Sequence, residues 1–202
     1  MIAIVDYGVG NLFSLKSSFA AIGAEVTVTS DETILKNADK ILLPGVGAFA
    51  DAAAKLRSTG LDRVLKDHAD LGKPLMGICL GMQLLFEKSY EYGSYDGLGL
   101  IPGQVVPMAR KLQVDLKIPH IGWNALHFHK PCQLFRDVQE GQCVYFVHSY
   151  FADNCDSYVT ATAEYGIPLT AAVCKDNVMG CQFHPEKSGS VGLSILKAFA
   201  DM

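Results

Sequence analysis

Apolar runs too short to be helices alternate with helical periodicity through the first half of the chain. Residues 1–6 read as a strand, and in 12–22 Leu12, Leu15, Phe19 and Ile22 share one helical face. A β-like run over 24–29 leads to a short helix over 31–37 opened by Asp31 or Ser30, and then to a buried strand over 39–43. Helices over about 48–57 and 61–69 precede a strand over 73–78, and a further helical pattern covers 82–87.

After about residue 97 the texture changes to strands and turns, at 103–107, 118–127, 143–147, 158–163, 168–175 and 178–182, with a last helix over 190–201. Alternating βαβα units predict a parallel sheet with helices on both faces. Late strands of this kind form a small antiparallel portion on an otherwise parallel sheet. The expected fold is therefore α/β, a flavodoxin-like doubly wound sheet with that antiparallel portion in the C-terminal half. In such folds the loops at the carboxyl ends of the strands form the site.

Length adds one bound: 202 residues with no linker, repeat or low-complexity tract predict a single domain, 1–202. A net charge of −4 with scattered Lys and Arg gives no nucleic-acid surface. The N-terminal apolar run stops at Asp6, too short for a signal peptide, and no apolar stretch reaches membrane-spanning length. Six cysteines (79, 132, 143, 155, 174 and 181) show neither metal nor redox spacing, and a nucleophilic thiol must stay reduced. These features point to a cytoplasmic enzyme or enzyme subunit, with no metal and no cofactor.

The chemistry concentrates at three places. Gly77-Ile78-Cys79-Leu80-Gly81 sets a cysteine between glycines at a strand-to-helix turn, the thiol form of a nucleophile elbow. The turn holds the sulfur proud of the sheet, the glycines let backbone pass, and the helix N-terminus favours thiolate. By itself the pentapeptide also fits a buried structural cysteine. Near the other end, Gly180-Cys181-Gln182-Phe183-His184-Pro185-Glu186-Lys187-Ser188 places His184 and Glu186 two residues apart, on one face of an extended segment. A carboxylate beside an imidazole fixes its tautomer and stabilises its charged form, giving an order of nucleophile Cys79, base His184 and orienting Glu186. The third place is Pro44-Gly45-Val46-Gly47, where N–H groups around Val46 and Gly47, with that of Leu80, would hold a tetrahedral oxyanion. Without Cys79 and His184 this stretch would be an ordinary βα loop.

With those residues in view, the chain resembles the class I (triad) glutamine amidotransferases, which carry a G-x-C-x-G elbow and a late H-P-E. Asp6-Tyr7-Gly8-Val9-Gly10-Asn11, Pro44 to Phe49, Cys79 to Phe86, Pro119-His120-Ile121-Gly122-Trp123-Asn124, Phe146-Val147-His148-Ser149-Tyr150 and Gln182 to Ser188 carry the resemblance. The P-G-V-G, I-G-W-N and H-P-E-K-S blocks narrow it to the branch of glutaminase subunits of imidazole glycerol phosphate synthases. That resemblance implies glutamine hydrolysis through a Cys79 thioester. It implies glutamine contacts at Gly45, Gln83 and Glu91 and at the backbone of His148, Ser149 and Tyr150. Glu91 also fits a plain solvated charge. The resemblance further implies a heterodimer with a (β/α)₈-barrel cyclase subunit, which uses the ammonia to make imidazole glycerol phosphate and an aminoimidazole carboxamide ribotide in histidine biosynthesis. Asn11, Trp123, Asn124 and Lys187 are the implied interface residues; the lone tryptophan fits a core anchor equally well. Competing readings are a glutaminase of another synthase, a free-standing thiol hydrolase of γ-glutamyl amides, and a non-catalytic flavodoxin-like module.

Two motifs are set aside. Gly8-Val9-Gly10-Asn11-Leu12-Phe13 lacks the third glycine of a dinucleotide loop and an acidic residue closing the second strand, so it reads as a βα loop. His127 and His129 beside Pro131 lack a second ligand cluster and read as a solvated loop.

Overall fold

The computed structural model describes residues 1–113 and 115–202. Its strands are β1 (Ile2–Val5), β2 (Val26–Thr29), β3 (Lys40–Leu43), β4 (Leu75–Ile78), β5 (Phe86–Ser89), β6 (Tyr95–Asp96), β7 (Ile101–Pro107), β8 (His120–Ala125), β9 (His127–Phe128), β10 (Cys143–His148), β11 (Tyr150–Asp153), β12 (Val159–Glu164), β13 (Pro168–Lys175) and β14 (Val178–Cys181). The helices are α1 (Leu12–Ala21), α2 (Glu32–Asn37), α3 (Phe49–Ser58), α4 (Leu61–Asp70), α5 (Leu80–Leu84) and α6 (Gly189–Ala200).

The main sheet runs β2-β1-β3-β4-β14-β13-β12-β9. Its first five strands are parallel and the last three join antiparallel. Alternation along the strands divides the interior into two cores. Ile2, Ile4, Leu42, Met76 and Ile78 face a layer with Leu15, Phe19, Ile195, Leu196 and Phe199 of α1 and α6. Ala3, Val5, Ile41, Leu43 and Leu75 face the other side, against Leu35, Leu56, Leu61, Val64 and Leu65 of α2, α3 and α4. Phe19 and Phe199 are wholly buried, each stabilising the α1–α6 layer by roughly 1.5–3 kcal/mol. Helices thus cover both faces, as expected of a doubly wound sheet, and the antiparallel strands lie in the C-terminal half. Among the described residues no helix is long and apolar enough to cross a membrane.

Local signals explain several boundaries. Asp31 opens α2, accepting from the N–H groups of Thr33 and Ile34 at 2.7 and 3.1 Å. Asn11 caps α1 through Ser14, so the Gly8–Asn11 segment is a βα loop as read.

Several expectations need correction. The helical pattern over 82–87 ends at Leu84, and Phe86–Ser89 is a strand. The carbonyls that would continue the helix are taken from outside: Leu84, Leu85, Phe86 and Glu87 accept from Leu98, Leu100, Gly99 and Gly97 at 2.8–3.0 Å. The single strand over 118–127 is two, β8 and β9, belonging to different sheets; β9 adds to β12, while β8 pairs with β10 in a two-stranded ribbon. The aromatic run after Ser149 forms β11, a strand that periodicity does not predict, in a third, four-stranded sheet ordered β11-β7-β5-β6. His127 lies in β9 with Nδ1 2.9 Å from Glu140 Oε1, and His129 Nε2 lies 2.7 Å from Thr162 Oγ1; they serve an edge strand rather than a free loop.

Candidate active site

Strands β3, β4 and β14 are neighbours in the sheet, and the three chemical segments leave their carboxyl ends side by side. After β3 comes the Pro44–Ala48 turn, after β4 comes Cys79, and after β14 come Gln182 and His184. Parallel pairing therefore assembles residues more than a hundred positions apart.

Cys79 sits at φ 54°, ψ −112°, a conformation that costs a non-glycine residue about 1–3 kcal/mol. Its N–H donates to Cys181 O at 2.8 Å, tying the elbow to β14. The flanking glycines are compelled by backbone. A Cβ on Gly81 would lie 1.8 Å from Leu43 O, and one on Gly77 would lie 2.6 Å from Gly81 O. The helix behind the elbow has five residues, and the charged side chain that couples to Cys79 is His184.

His184 is buried, and its Nδ1 lies 2.8 Å from Oε1 of Glu186, whose side chain is 2% exposed. Burial alone would lower the imidazole pKa, but hydrogen bonding and charge from Cys79 and Glu186 outweigh it and raise it to about 9. The ring thus holds a proton at neutral pH. Glu186 does not meet His184 along an extended segment, as the sequence suggested. His184 is extended (φ −101°, ψ 99°) at the mouth of a one-turn 3₁₀ helix, Pro185–Lys187, and the turn brings the carboxylate back. Ser188 secures the turn, its Oγ donating to His184 O at 2.6 Å and accepting from Tyr145 N–H at 2.9 Å.

A cavity of about 360 Å³ opens over these groups, lined by Val46, Gly47, Cys79, Leu80, Gln83, Glu91, His148, Ser149, Tyr150 and His184 among others. Every expected catalytic, oxyanion and glutamine residue lines it except Glu186, which stands behind His184, and Gly45. Gly45 is buried beneath the turn, where a Cβ would come within 2.7–3.0 Å of Gly81 N, Leu80 Cβ and Tyr7 Oη. Gly47, at φ +96°, lets the chain reverse at the cavity rim. Leu80 is the first residue of α5, so its N–H has no intrahelical partner.

Sequence reasoning passed over two residues that shape this site. Gln182 is wholly buried; its Nε2 points at Cys79 Sγ at 3.7 Å and its Oε1 accepts from Gln83 Nε2 at 2.9 Å. Its place two residues before His184 was the available signal. Tyr7 donates its hydroxyl to Pro44 O at 2.8 Å, and burial, then the nearby Cys79 charge, raises its pKa. Gln83 uses its amide hydrogens on Gln182 and on Tyr150 O at 3.2 Å, which leaves Oε1 as its acceptor toward the cavity. Glu91 Oε2 accepts from Phe49 N–H at 2.6 Å; burial raises its carboxyl pKa against that bond.

The four residues expected at an interface divide by orientation. Trp123 is 58% exposed, with its ring 6.2 Å from that of Tyr145, and Lys187 Nζ lies 5.9 Å over the same tyrosine. Ile121, two residues before Trp123 in β8, is equally exposed. Asn124 alternates to the inner face, its amide bonded to Glu164 O, and Asn11 is engaged in capping α1.

The model of the class I glutamine amidotransferases matches residues 3–201. A protein named imidazole glycerol phosphate synthase subunit HisH from Syntrophotalea carbinolica is 48% identical over the whole of both chains. Proteins of the same name from Bacillus cereus (50% identical, 98% of this chain and 93% of that one) and Caldanaerobacter subterraneus (48%, 100% and 98%) are similar along their length. Among solved structures, PurLQS from Thermotoga maritima superimposes with a TM-score of 0.76 at 20% identity, covering 99% of this chain and 97% of that one. A crystal structure described as a glutamine amidotransferase also gives 0.76, at 19% identity over the whole of both chains. At that identity the structures speak for the fold, while the sequence matches and the elbow–imidazole–carboxylate geometry place this chain in the class I glutamine amidotransferase family.

Proposed function

We propose that this chain is the glutaminase subunit of imidazole glycerol phosphate synthase, releasing ammonia from L-glutamine by a Cys79–His184–Glu186 triad. The observation that carries the reading is the convergence of Cys79 and the Glu186-bound His184 on one cavity, in a chain about half identical to proteins named for that subunit.

The Cys79 thiolate attacks the side-chain amide carbon of glutamine. The N–H of Leu80 and those of the Val46–Gly47 turn hold the resulting oxyanion, one such donor being worth about 3–4 kcal/mol. His184, already protonated, gives its proton to the departing nitrogen; the C–N bond breaks and ammonia leaves a γ-glutamyl thioester. Water then adds to the thioester, His184 takes its proton, and glutamate departs as the thiolate is restored. Oε1 of Gln83, the Glu91 carboxylate and the His148–Tyr150 backbone receive the α-ammonium and α-carboxylate of the substrate. Burial keeps the Glu186 carboxylate aimed at Nδ1, which presents Nε2 to the reaction.

Ammonia released to bulk water would be protonated and lost, so it passes to a (β/α)₈-barrel cyclase partner. There it reacts with a phosphoribulosyl-formimino carboxamide ribotide to give imidazole glycerol phosphate and the aminoimidazole carboxamide ribotide. The Ile121–Trp123–Lys187 patch beside His184 fits that docking surface, with an exposed aromatic anchor and a cation. Glutamate release is measured for the chain alone and with the cyclase and its nucleotide substrate. Strong hydrolysis in the complex, abolished by Cys79→Ala, is expected. Near-normal hydrolysis by Cys79→Ala overturns the mechanism, and equal hydrolysis without partner points to a free-standing hydrolase.

A further inference from the structure

Pairing of β8 with β10 sets His120 directly opposite His148, at the end of the ribbon that reaches the cavity. Both rings are buried, yet neither belongs to the triad. His120 lies against Tyr165, ring centres 4.2 Å apart, and against Phe146 at 4.9 Å. Its Nδ1 is 3.0 Å from His148 Nε2, and its Nε2 is 3.2 Å from Asn124 Nδ2. His148 Nδ1 is 2.8 Å from Tyr150 O.

The protons in this row can be assigned from its two ends. Tyr150 O can only accept, so His148 carries its proton on Nδ1. Burial foremost, with neighbouring imidazoles, lowers the His148 pKa to about 3, so that ring is neutral and its Nε2 is a bare acceptor. His120 must then donate from Nδ1. Burial lowers the His120 pKa too, so its Nε2 is the acceptor for Asn124 Nδ2–H. Asn124 is oriented by Ala125 N–H, which donates to its Oδ1 at 2.8 Å, while Nδ2 also donates to Glu164 O at 2.9 Å. Every donor has an acceptor in one arrangement only. From Tyr150 O the row continues through Gln83 and Gln182 to Cys79 Sγ.

We infer that His120 is a positioning residue for glutamine binding: the one-way hydrogen-bond row Asn124–His120–His148–Tyr150 O fixes the backbone segment that closes over the substrate. The same ribbon carries Ile121 and Trp123 on its outer face, so a partner seated there presses on the strand whose inner face holds the row. This inference rests on the glutaminase reading above and goes beyond it, since no step of the chemistry passes through His120.

The test compares His120→Phe, which keeps the stacked ring but removes both nitrogens, with His120→Asn, whose side-chain amide N–H can stand in for Nδ1–H. Both are assayed as full chains with the cyclase present. His120→Phe leaves a buried His148 acceptor unpaired and is expected to raise the glutamine KM by on the order of tenfold or more, with kcat within about threefold. Iodoacetamide alkylation of Cys79, which needs no α-amino-acid pocket, should stay at the wild-type rate, and His120→Asn should recover most of the KM. An unchanged KM in His120→Phe, no rescue by Asn, or a parallel fall of kcat and alkylation overturns the inference. Should the variants not fold, ¹⁵N spectra of the wild-type imidazoles decide: Nδ1–H in both rings supports the row, and Nε2–H in either overturns it. Wild type and Cys79→Ala run alongside with the cyclase; if wild type releases no glutamate the glutaminase reading fails, if Cys79→Ala still hydrolyses glutamine the triad mechanism fails, and an active wild type with an inactive Cys79→Ala beside an unaffected His120→Phe sinks only this inference.

Discussion

Glu91 caps helix α3 from another part of the fold, its carboxylate accepting the backbone N–H of Phe49 at 2.6 Å. Ala48, at the N-cap position, has no side chain able to do this. A carboxylate at that end also meets the positive pole of the helix. The same side chain lines the cavity over Cys79, so it holds the end of the Pro44–Ala48 turn and, in the proposed mechanism, faces the substrate as well. Two substitutions separate these roles. Glu91→Ala should lose about 1 kcal/mol of stability, as lost caps do. Glu91→Gln keeps an oxygen for Phe49 and should restore most of that stability. Lacking the charge that receives an α-ammonium, it should still show a glutamine KM about 10–100-fold high. Urea unfolding and steady-state kinetics check the pair; a normal KM in Glu91→Gln would leave Glu91 as a cap alone.

Gly81 is fixed by a backbone atom. Its missing Cβ would sit 1.8 Å from Leu43 O, a backbone atom at the end of β3 where the Pro44–Ala48 turn begins. Gly81→Ala should cost at least about 3 kcal/mol, beyond the usual range for added bulk. Gly141 is the control: it has positive φ but nothing within 4 Å, so Gly141→Ala should cost only about 1 kcal/mol of backbone strain. Chemical denaturation of both variants measures the difference.

These cases show what can be read from the chain alone. Cys79, His184 and Glu186 were legible because each lies in a short motif whose spacing the chemistry dictates, and β1 to β4 because apolar runs alternate cleanly with helical periodicity. Glu91 was not legible as a cap, since its partner is 42 residues away and only the folded path of β5 and β6 brings them together. Phe86 read as helix because its side chain fits the helical stripe; the carbonyls drawn off by residues 97–100 are a tertiary fact. The His120–His148 row depends on strand register, which no local pattern encodes. Period-two alternation in Ile121-Gly122-Trp123-Asn124 did hold the information that Trp123 faces out and Asn124 in.

The elbow conformation of Cys79 should be measurable as strain. Glycine ordinarily destabilises relative to alanine by about 0.5–1 kcal/mol through its freedom in the unfolded chain. At φ 54°, ψ −112° the order should invert, because alanine keeps the Cβ that makes this geometry unfavourable. Cys79→Gly is expected to be about 1–2 kcal/mol more stable than Cys79→Ala, with both inactive. Thermal and urea unfolding of the two inactive proteins tests this without any contribution from the thiol, and the ordinary order would mean that the elbow relaxes when the sulfur is removed.

The proton on His184 links stability to pH with a definite sign. Its folded pKa, about 9, lies above the 6.5 of an unperturbed imidazole. A group raised on folding contributes stability that is complete below the unfolded value and is lost as pH climbs through the folded one. The window is therefore about pH 6.5–9, and the contribution at stake is on the order of 3 kcal/mol. Glu186→Gln removes one of the two partners that raise the pKa, so the folded value should fall and the window should close toward 6.5. The stability difference between wild type and Glu186→Gln should accordingly be greatest at about pH 6.5 and shrink as pH rises through about 9. The same change lets the imidazole lose its fixed tautomer and proton, so kcat should drop by about 10²–10⁴-fold. Urea unfolding of both proteins at several pH values, with glutamate release at each, measures both effects. A wild-type-minus-variant difference that stays flat from about pH 6.5 to 10 would show that Glu186 does not hold the proton on His184.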